Sequence, residues 1–402
     1  MSTADDAATA VRQSSQRDCL LVLRDASAPL TVGELSARTG LSRPTVDSAL
    51  QTLTVTGSVH PAQPAPTSAP GRPARRFSFN PAVAVVAGID LGARSVRLTL
   101  ADATGRIAVQ HVAANTEENN RLQTVVDLID AACREFDRHR TGVDHSRTPA
   151  AVGVAVPGIL TAGGRISRSL AIPDLDGVDI GAELAGRLGC PVVVENDIKL
   201  AAYAEHHLGR PAPTTALVQI GHRISVALIL EGRILQGSHR LAGELGSRRG
   251  MRWTRTSRRG HLRWSTGDEA EPLFHRAAAG DQTAIAEIDD FCAQIAPKIA
   301  DLALTIDPDL LVVGGGLSRA GRTLLDPLTE HVHRLLMTAQ KPELTLARLT
   351  TEGAALGALG QAFEHYAPEV FAVPHVPPPW PRIGVSPPAP SHPDPDRPLL
   401  SN

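Results

Sequence analysis

Between Leu30 and Gly57 the apolar and polar positions repeat with a helical period, in two short runs separated by a tight turn. Thr31 and Glu34 make a T-x-x-E capping box, which predicts a helix from about Val32. Gly40 ends it, and Leu41 turns back towards the core. Ser42 is the next N-cap. Pro44 falls in the first turn of a second helix, where its missing N–H costs nothing. In that helix Val46, Ala49, Leu50 and Leu53 recur at i, i+3, i+4 and i+7 and form one buried face. With the cap Ser42, the residues Arg43, Thr45, Ser48, Gln51 and Thr52 lie largely on the other side. Short polar groups plus an Arg at a helix N-terminus suit base edges and phosphates in a major groove. Residues 14–26 predict a preceding amphipathic helix with Leu20, Leu21 and Leu23 inward, while the small, polar residues 1–13 read as frayed.

After Gly57, Ser58–His60 starts a strand and FSFNP (77–81) carries a second. The stretch PAQPAPTSAPGRPARR between them reads as a long wing. Its Arg72, Arg75 and Arg76 have no acidic neighbour. They read either as a solvated linker or as a basic arm that tracks phosphates or enters the minor groove.

From Ala82 the pattern becomes that of an α/β body. Residues 83–111 alternate as a buried strand, a Gly turn and two further strands. Helices are predicted at Leu122–Phe136 and Ile180–Leu188, and a buried strand ends in the Pro157-Gly158 turn. Residues 191–209 read as strand, polar turn and helix. Residues 214–246 repeat the meander, and helices at 268–278 and 284–305 follow. A strand with a Gly-rich turn, a last strand at LTLARL and a last helix at EGAALGALGQAF close the pattern. Two meanders, each followed by helices and parallel strands, predict two similar lobes with a cleft between them. GIDLG, IGHRIS and VGGGLS are Gly turns after strands, which could cradle a polyphosphate on backbone N–H groups or simply turn tightly.

Composition narrows the classes. The 402 residues hold 42 % hydrophobic but only 3 % aromatic side chains, so the cores are aliphatic. A net charge of −2 suits a small DNA-reading domain on a neutral body rather than a protein coated in nucleic acid. The four cysteines are far apart without metal-ligand spacing, which fits a reduced cytoplasm. No signal pattern and no apolar run of the ~20 residues that span a membrane is present, so a cytoplasmic protein is expected.

The order helix-turn-helix, GRPARRFSFNP, GIDLGARSVRL, VGVAVPGIL, VVVENDIKLAAYAEHHLG, LAGELG, DPDLLVVGGGLSRAG and EGAALGALGQAF resembles the ROK family of repressors, open reading frames and sugar kinases, over about residues 14–366. The N-terminal winged helix resembles the repressor branch. The resemblance implies an actin-like, hexokinase-like two-lobed body and a homodimer or homotetramer. It also implies that Asp197, in the E-N-D turn, sits where the family's kinases hold the base for a sugar hydroxyl, and that Asn196 and Glu244 match sugar-binding positions. From the residues alone, Asp197 also reads as a helix cap.

The sequence departs from the family in two places. The kinases' second phosphate turn, Gly-Thr-Gly-x-Gly, is here Gly221-His222-Arg223-Ile224-Ser225, which argues against ATP binding. Ser247 stands where the family has a sugar- and zinc-binding His. The following SRRGMRWTRTSRRGHLRWSTGDEA lacks the Cys residues of the zinc segment, so no metal site is expected. Its Arg248, Arg249, Arg252, Arg255, Arg258, Arg259 and Arg263, with Trp253 and Trp264, read as a solvated loop, a site for an acidic effector or an auxiliary DNA contact.

The expected architecture is a winged helix-turn-helix domain at 1–80, a two-lobed sensor body at 81–372 and a Pro-rich disordered tail at 373–402. The expected function is a DNA-binding regulator, a repressor of carbohydrate or secondary-metabolism genes. It binds a double-stranded operator through Ser42, Arg43, Thr45, Ser48, Gln51, Arg72, Arg75 and Arg76. It would respond to a sugar or sugar phosphate at Asn196, Asp197 and Glu244, with no cofactor, no catalysis and no membrane partner. The alternative is an ATP-dependent sugar kinase with an added DNA-binding domain, Asp197 then being its base.

Overall fold

A computed structural model describes residues 2–62, 74–115, 120–141, 148–248, 250–258 and 261–383. The chain opens on α1 (Ser2–Asp25), β1 (Leu30–Thr31), α2 (Val32–Thr39), α3 (Arg43–Val55), β2 (Val59–Ala62) and β3 (Arg76–Phe79). Residues 2–13, read as frayed, instead extend α1, whose Leu20 and Leu23 are buried. The capping box forms as expected. Glu34 N–H donates to Thr31 Oγ1 at 3.2 Å, and the Glu34 carboxylate accepts the Thr31 N–H at 2.7 Å. Gly40 closes α2 at φ 73°. The three strands pair in the order β1-β3-β2, with Val59 opposite Phe79 and Ala62 opposite Arg76. Helices backed by a small antiparallel sheet make a winged helix.

Two five-stranded sheets follow. The first is built from β4 (Val85–Leu91), β5 (Ser95–Asp102), β6 (Ile107–Ala114), β7 (Ala151–Val156) and, after the short hairpin β8 (Ile159–Leu160) and β9 (Ile166–Arg168), β10 (Val192–Asn196). Helices α4 (Arg121–Thr141), α5 (Ile180–Leu188) and α6 (Asp197–Leu208) are interspersed. The second sheet is built from β11 (Thr214–Ile220), β12 (Ile224–Leu230), β13 (Arg233–Ile234), β14 (Leu310–Gly314) and β15 (Glu343–Leu346). Its helices are α7 (Glu271–Ala278), α8 (Gln282–Ile306) and α9 (Arg322–Leu335). The sheet orders are β10-β7-β4-β5-β6 and β13-β12-β11-β14-β15. In each, the meander strands lie side by side and later strands extend the sheet beside its first strand, so the repeated meander is a repeated architecture. Strands β7 and β14 are continuous apolar runs because both of their faces are covered.

The chain clusters into two compact units. One comprises the described parts of Met1–Val154, Gly181–Val193 and Ala358–Asn402, and the other Ala155–Ile180 and Val194–Gly357. The winged helix thus groups with the first sheet and with the C-terminal elements α10 (Gly353–His365, from Ala358), α11 (Ala367–Phe371) and α12 (Trp380–Ile383).

The tail reading at 373–402 needs correction over its described part. Val373, Val376, Trp380 and Ile383 are all buried, and Trp380 lies against Gly360, where an added Cβ would meet the indole at 2.1 Å. Proline here shapes a packed strap rather than preventing packing. The strap and α11 together seat the winged helix. Arg24 Nη1 donates to the Pro377 carbonyl at 2.9 Å, and Arg382 donates to the Arg24 carbonyl at 2.9 Å. Ser58 Oγ donates to the Phe371 carbonyl at 2.9 Å, and the Phe79 and Phe371 rings lie 6.4 Å apart. Residues 384–402 lie outside the described residues.

Candidate functional site

In the winged helix, Val46, Ala49, Leu50 and Leu53 of α3 are buried, and this one-sided burial fixes what faces out. Arg43, Ser48 and Gln51 are exposed, as is the cap Ser42, with Thr45 half-buried. Ser42 caps the helix through the Thr45 N–H at 3.3 Å, and the two hydroxyls lie 2.8 Å apart. Arg43 thus stands at the positive end of the helix, on a fixed scaffold. The three arginines of the wing separate. Arg72 lies outside the described residues. Arg75 is exposed, with its guanidinium 5.3 Å from the Phe77 ring centre. Arg76 is spoken for: it donates to the Pro29 carbonyl at 2.7 Å and pairs with Glu34 at 3.3 Å, which ties β3 to the cap of α2.

The E-N-D turn lies at the start of α6. The cap is Asn196, not Asp197: its Oδ1 accepts the Lys199 N–H at 3.0 Å, and its Nδ2 donates to the Gly158 carbonyl at 2.9 Å. Gly158 sits at φ 135°, with the Arg168 carbonyl 2.7 Å from where a Cβ would stand, so only glycine fits this corner. Buried Glu195 pairs with Arg240 and accepts from Gln236, while Lys199 Nζ donates to Gln236 Oε1 and the Arg240 carbonyl, each at 3.0 Å. This network pins the turn to residues 236–240. Asp197 is half-buried and accepts the Ile198 N–H at 2.8 Å. Its pKa is pushed up to about 6 by burial, with the nearby Glu244 carboxylate adding to the rise. Among the described residues no cation pairs with it. Ser247 hydrogen-bonds to Glu244 at 3.1 Å, so the residue at the family's His position holds that carboxylate. A carboxylate near pKa 6 and free of cations can accept a hydroxyl proton or bind the hydroxyl.

The turn at Gly221–Ser225 is held by contacts with other segments of the chain. Arg223 Nη2 lies 3.3 Å from the Leu170 carbonyl and 2.8 Å from His261 Nε2, and the Leu262 N–H donates to the His222 carbonyl at 2.8 Å. Burial lowers the pKa of both Arg223 and His261. Of the readings open for the segment that supplies these contacts, a wholly solvated loop does not hold at its tryptophans. Trp253, Leu262 and Trp264 are buried in the core of this unit, and the Trp264 ring lies 4.7 Å from Phe291 and 5.8 Å from Phe274. Sequence reading misses these anchors because they follow neither a helical nor a strand period. Arg248, Arg252, Arg255, Arg258 and Arg263 point outward as exposed residues, and Arg249 and Arg259 lie outside the described residues. Among the described residues no group of three or more His, Cys, Asp or Glu could hold a metal ion, and no helix is long and apolar enough to cross a membrane.

The model of the ROK family matches residues 86–251 and 247–363. The chain belongs to the ROK family. Residues 18–61 match the IclR helix-turn-helix domain, which makes this ROK protein a DNA-binding regulator. A glucokinase from Halalkalibacterium halodurans is 25 % identical over 310 residues, 67 % of this chain and 92 % of the glucokinase. The ROK family glucokinase of Streptomyces griseus, solved with glucose and AMPPNP, has a TM-score of 0.57 at 21 % identity, over 69 % of this chain and 99 % of its own. A ROK family transcriptional regulator, a homologue of the E. coli MLC protein, has a TM-score of 0.65 at 17 % identity, over 90 % of this chain and 98 % of its own. The two kinases align with about two thirds of this chain, whereas the regulator's fold spans nine tenths of it.

Proposed function

We propose that this ROK regulator is an operator-binding repressor whose body senses a sugar or sugar phosphate and transfers no phosphate. The observation that carries the reading is the exposed Arg43, Ser48, Gln51 face of α3, set on a fully buried apolar face. As a homodimer, the protein would present two such helices to a roughly palindromic site. Arg75 would reach the phosphate backbone, whereas Arg76 serves the wing's own structure. Asn196, Asp197 and Glu244 would receive the hydroxyls of the effector, with Asp197 as acceptor. A ligand that fits one conformation of the body better than another shifts operator affinity by that difference.

The kinase alternative draws support from Asp197 and from the 25 % identical glucokinase. The protein contacts at Arg223 and His222 count against it, since the phosphates of ATP would have to displace them. Fluorescence anisotropy with duplexes from upstream of the gene, against scrambled DNA at fixed salt, tests the primary reading. Preference for one duplex by about 1000-fold is expected. Arg43→Ala should then cost about 1–3 kcal/mol on that duplex and relax the preference at one position. Equal loss on specific and scrambled DNA would remove its base-reading role. Phosphorylation of a hexose by ATP that disappears in Asp197→Asn would establish the kinase instead.

A further inference from the structure

Gly250, Met251, Arg252, Arg255, Arg258 and Arg263, from the stretch that replaces the family's zinc motif, line an open surface cavity of about 920 Å³, with Thr256 and Ser257 at its wall. We propose that this cavity binds a small phosphorylated metabolite carrying at least two phosphoryl groups. The site is separate from the E-N-D turn, shares no lining residue with it and does not depend on the sensor reading above.

Charge points to the ligand. Arg255 pairs with Asp290 at 2.8 Å and Arg263 with Asp268 at 2.5 Å, so these two guanidinium groups are already neutralised. Among the described residues Arg252 and Arg258 have no carboxylate partner. Arg248 adds a further cation beside the cavity, its guanidinium 3.8 Å from Met251 Sδ. The lining therefore holds at least two uncompensated positive charges, on the side chain whose planar fork matches phosphate oxygens two at a time.

The size of the cavity suits a small ligand. The volume falls within the roughly 300–1,000 Å³ usual for small-molecule sites. The wall is also rigid. Trp253 and Trp264 anchor it in the core, and the buried Thr254–Ser257 turn is closed by Ser257 Oγ donating to the Thr254 carbonyl at 2.8 Å. Thr256 Oγ1 donates to the Arg263 carbonyl at 3.2 Å and fastens one arm of the segment to the other. A fixed backbone frame spares the loop-ordering part of the cost of binding an anion.

Isothermal titration of the full-length protein with fructose 1,6-bisphosphate and with pyrophosphate tests this, with fructose and inorganic phosphate as controls. Saturable one-to-one binding of a two-phosphoryl probe is expected, weakened about 10- to 100-fold in Arg252→Gln/Arg258→Gln and unchanged in Asp197→Asn. Both changed arginines are exposed, so an unaltered circular dichroism melt is expected to certify the fold. Failure of both two-phosphoryl probes to bind, or equal binding by the double variant, overturns the proposal. Binding lost in Asp197→Asn but retained in the double variant moves the ligand to the E-N-D turn and overturns it too. Weaker operator binding by the double variant, with no binding of either probe, would make the segment a DNA contact instead.

Discussion

Replacing Asp197 by Asn should stabilise the protein at neutral pH. In the folded chain burial holds this carboxyl near pKa 6, against 3.8 unperturbed. Its folded pKa lies above its unfolded one, so ionising it is harder in the folded state. The folded form binds more protons than the unfolded form between those two values, and stability falls as pH rises through that window. A difference of about two units at 1.36 kcal/mol each amounts to roughly 3 kcal/mol lost by pH 7.5. At pH 4.5 the folded group is already neutral and the unfolded one largely ionised, so only about 1 kcal/mol of that loss has accrued. An amide at this position never ionises, and its oxygen can still accept the Ile198 N–H. The variant should therefore gain about 3 kcal/mol at pH 7.5 and about 1 kcal/mol at pH 4.5. For a unit of 150–250 residues that is roughly 6–12 °C in the unfolding midpoint at the higher pH and roughly 2–4 °C at the lower. Differential scanning calorimetry of both proteins at the two pH values measures this directly. Equal midpoints at pH 7.5, or a gain that does not shrink on acidification, would refute the claim that burial raises this pKa. The amide oxygen accepts a hydroxyl more weakly than the carboxylate does, so a gain in stability and a weakened effector response are expected together, the usual mark of a functional carboxylate.

Other outcomes follow from the packing. Trp380→Ala should destabilise the protein by about 3–5 kcal/mol in urea unfolding, as for a fully packed indole; a cost under about 1 kcal/mol would mean that the strap does not pack. Trp264→Ala should cost a similar ~3–5 kcal/mol, whereas a solvated loop would leave stability within about 0.5 kcal/mol of wild type. Arg75→Ala should lower the salt slope of DNA binding by about 1, while Arg76→Ala should leave that slope unchanged and lower thermal stability.

The winged helix was legible because its determinants are local. A capping box spans a single helical turn, Gly40 and Pro44 punctuate, and one apolar stripe selects the buried face. The doubled meander was legible as two runs of strand patterning, and the paired sheet architecture follows from it. Arg76 was misread because its partner Glu34 stands 42 positions away, on a helix whose own pattern is complete without it. At the E-N-D turn the spacing allowed Asp197 as a cap, but the Gly158 carbonyl holds Asn196 in that role and leaves the half-buried Asp197 carboxylate outside it. The strap misled for a chemical reason. Proline removes donors and helices, yet Pro377 accepts a bond through its carbonyl, and proline-rich backbone packs well where its partners lie on distant segments. The tryptophans of the arginine-rich segment gave no period because they anchor irregular loops.

The contacts of the winged helix with α11 and the strap also have a time axis. Ser58 meets the carbonyl of a residue 313 positions later, and Arg24 one 353 positions later. At the usual 5–20 residues per second, a ribosome takes roughly 15–70 s to travel that distance. Throughout this interval the DNA-reading helices exist with one side of their seat empty. Each newborn molecule thus passes through a long stage in which its reader is made but not yet braced, and an interrupted chain never leaves that stage. A chain that stops before Phe371 carries its reading helices without the contacts from Ser58 and Arg24 that brace them in the finished protein.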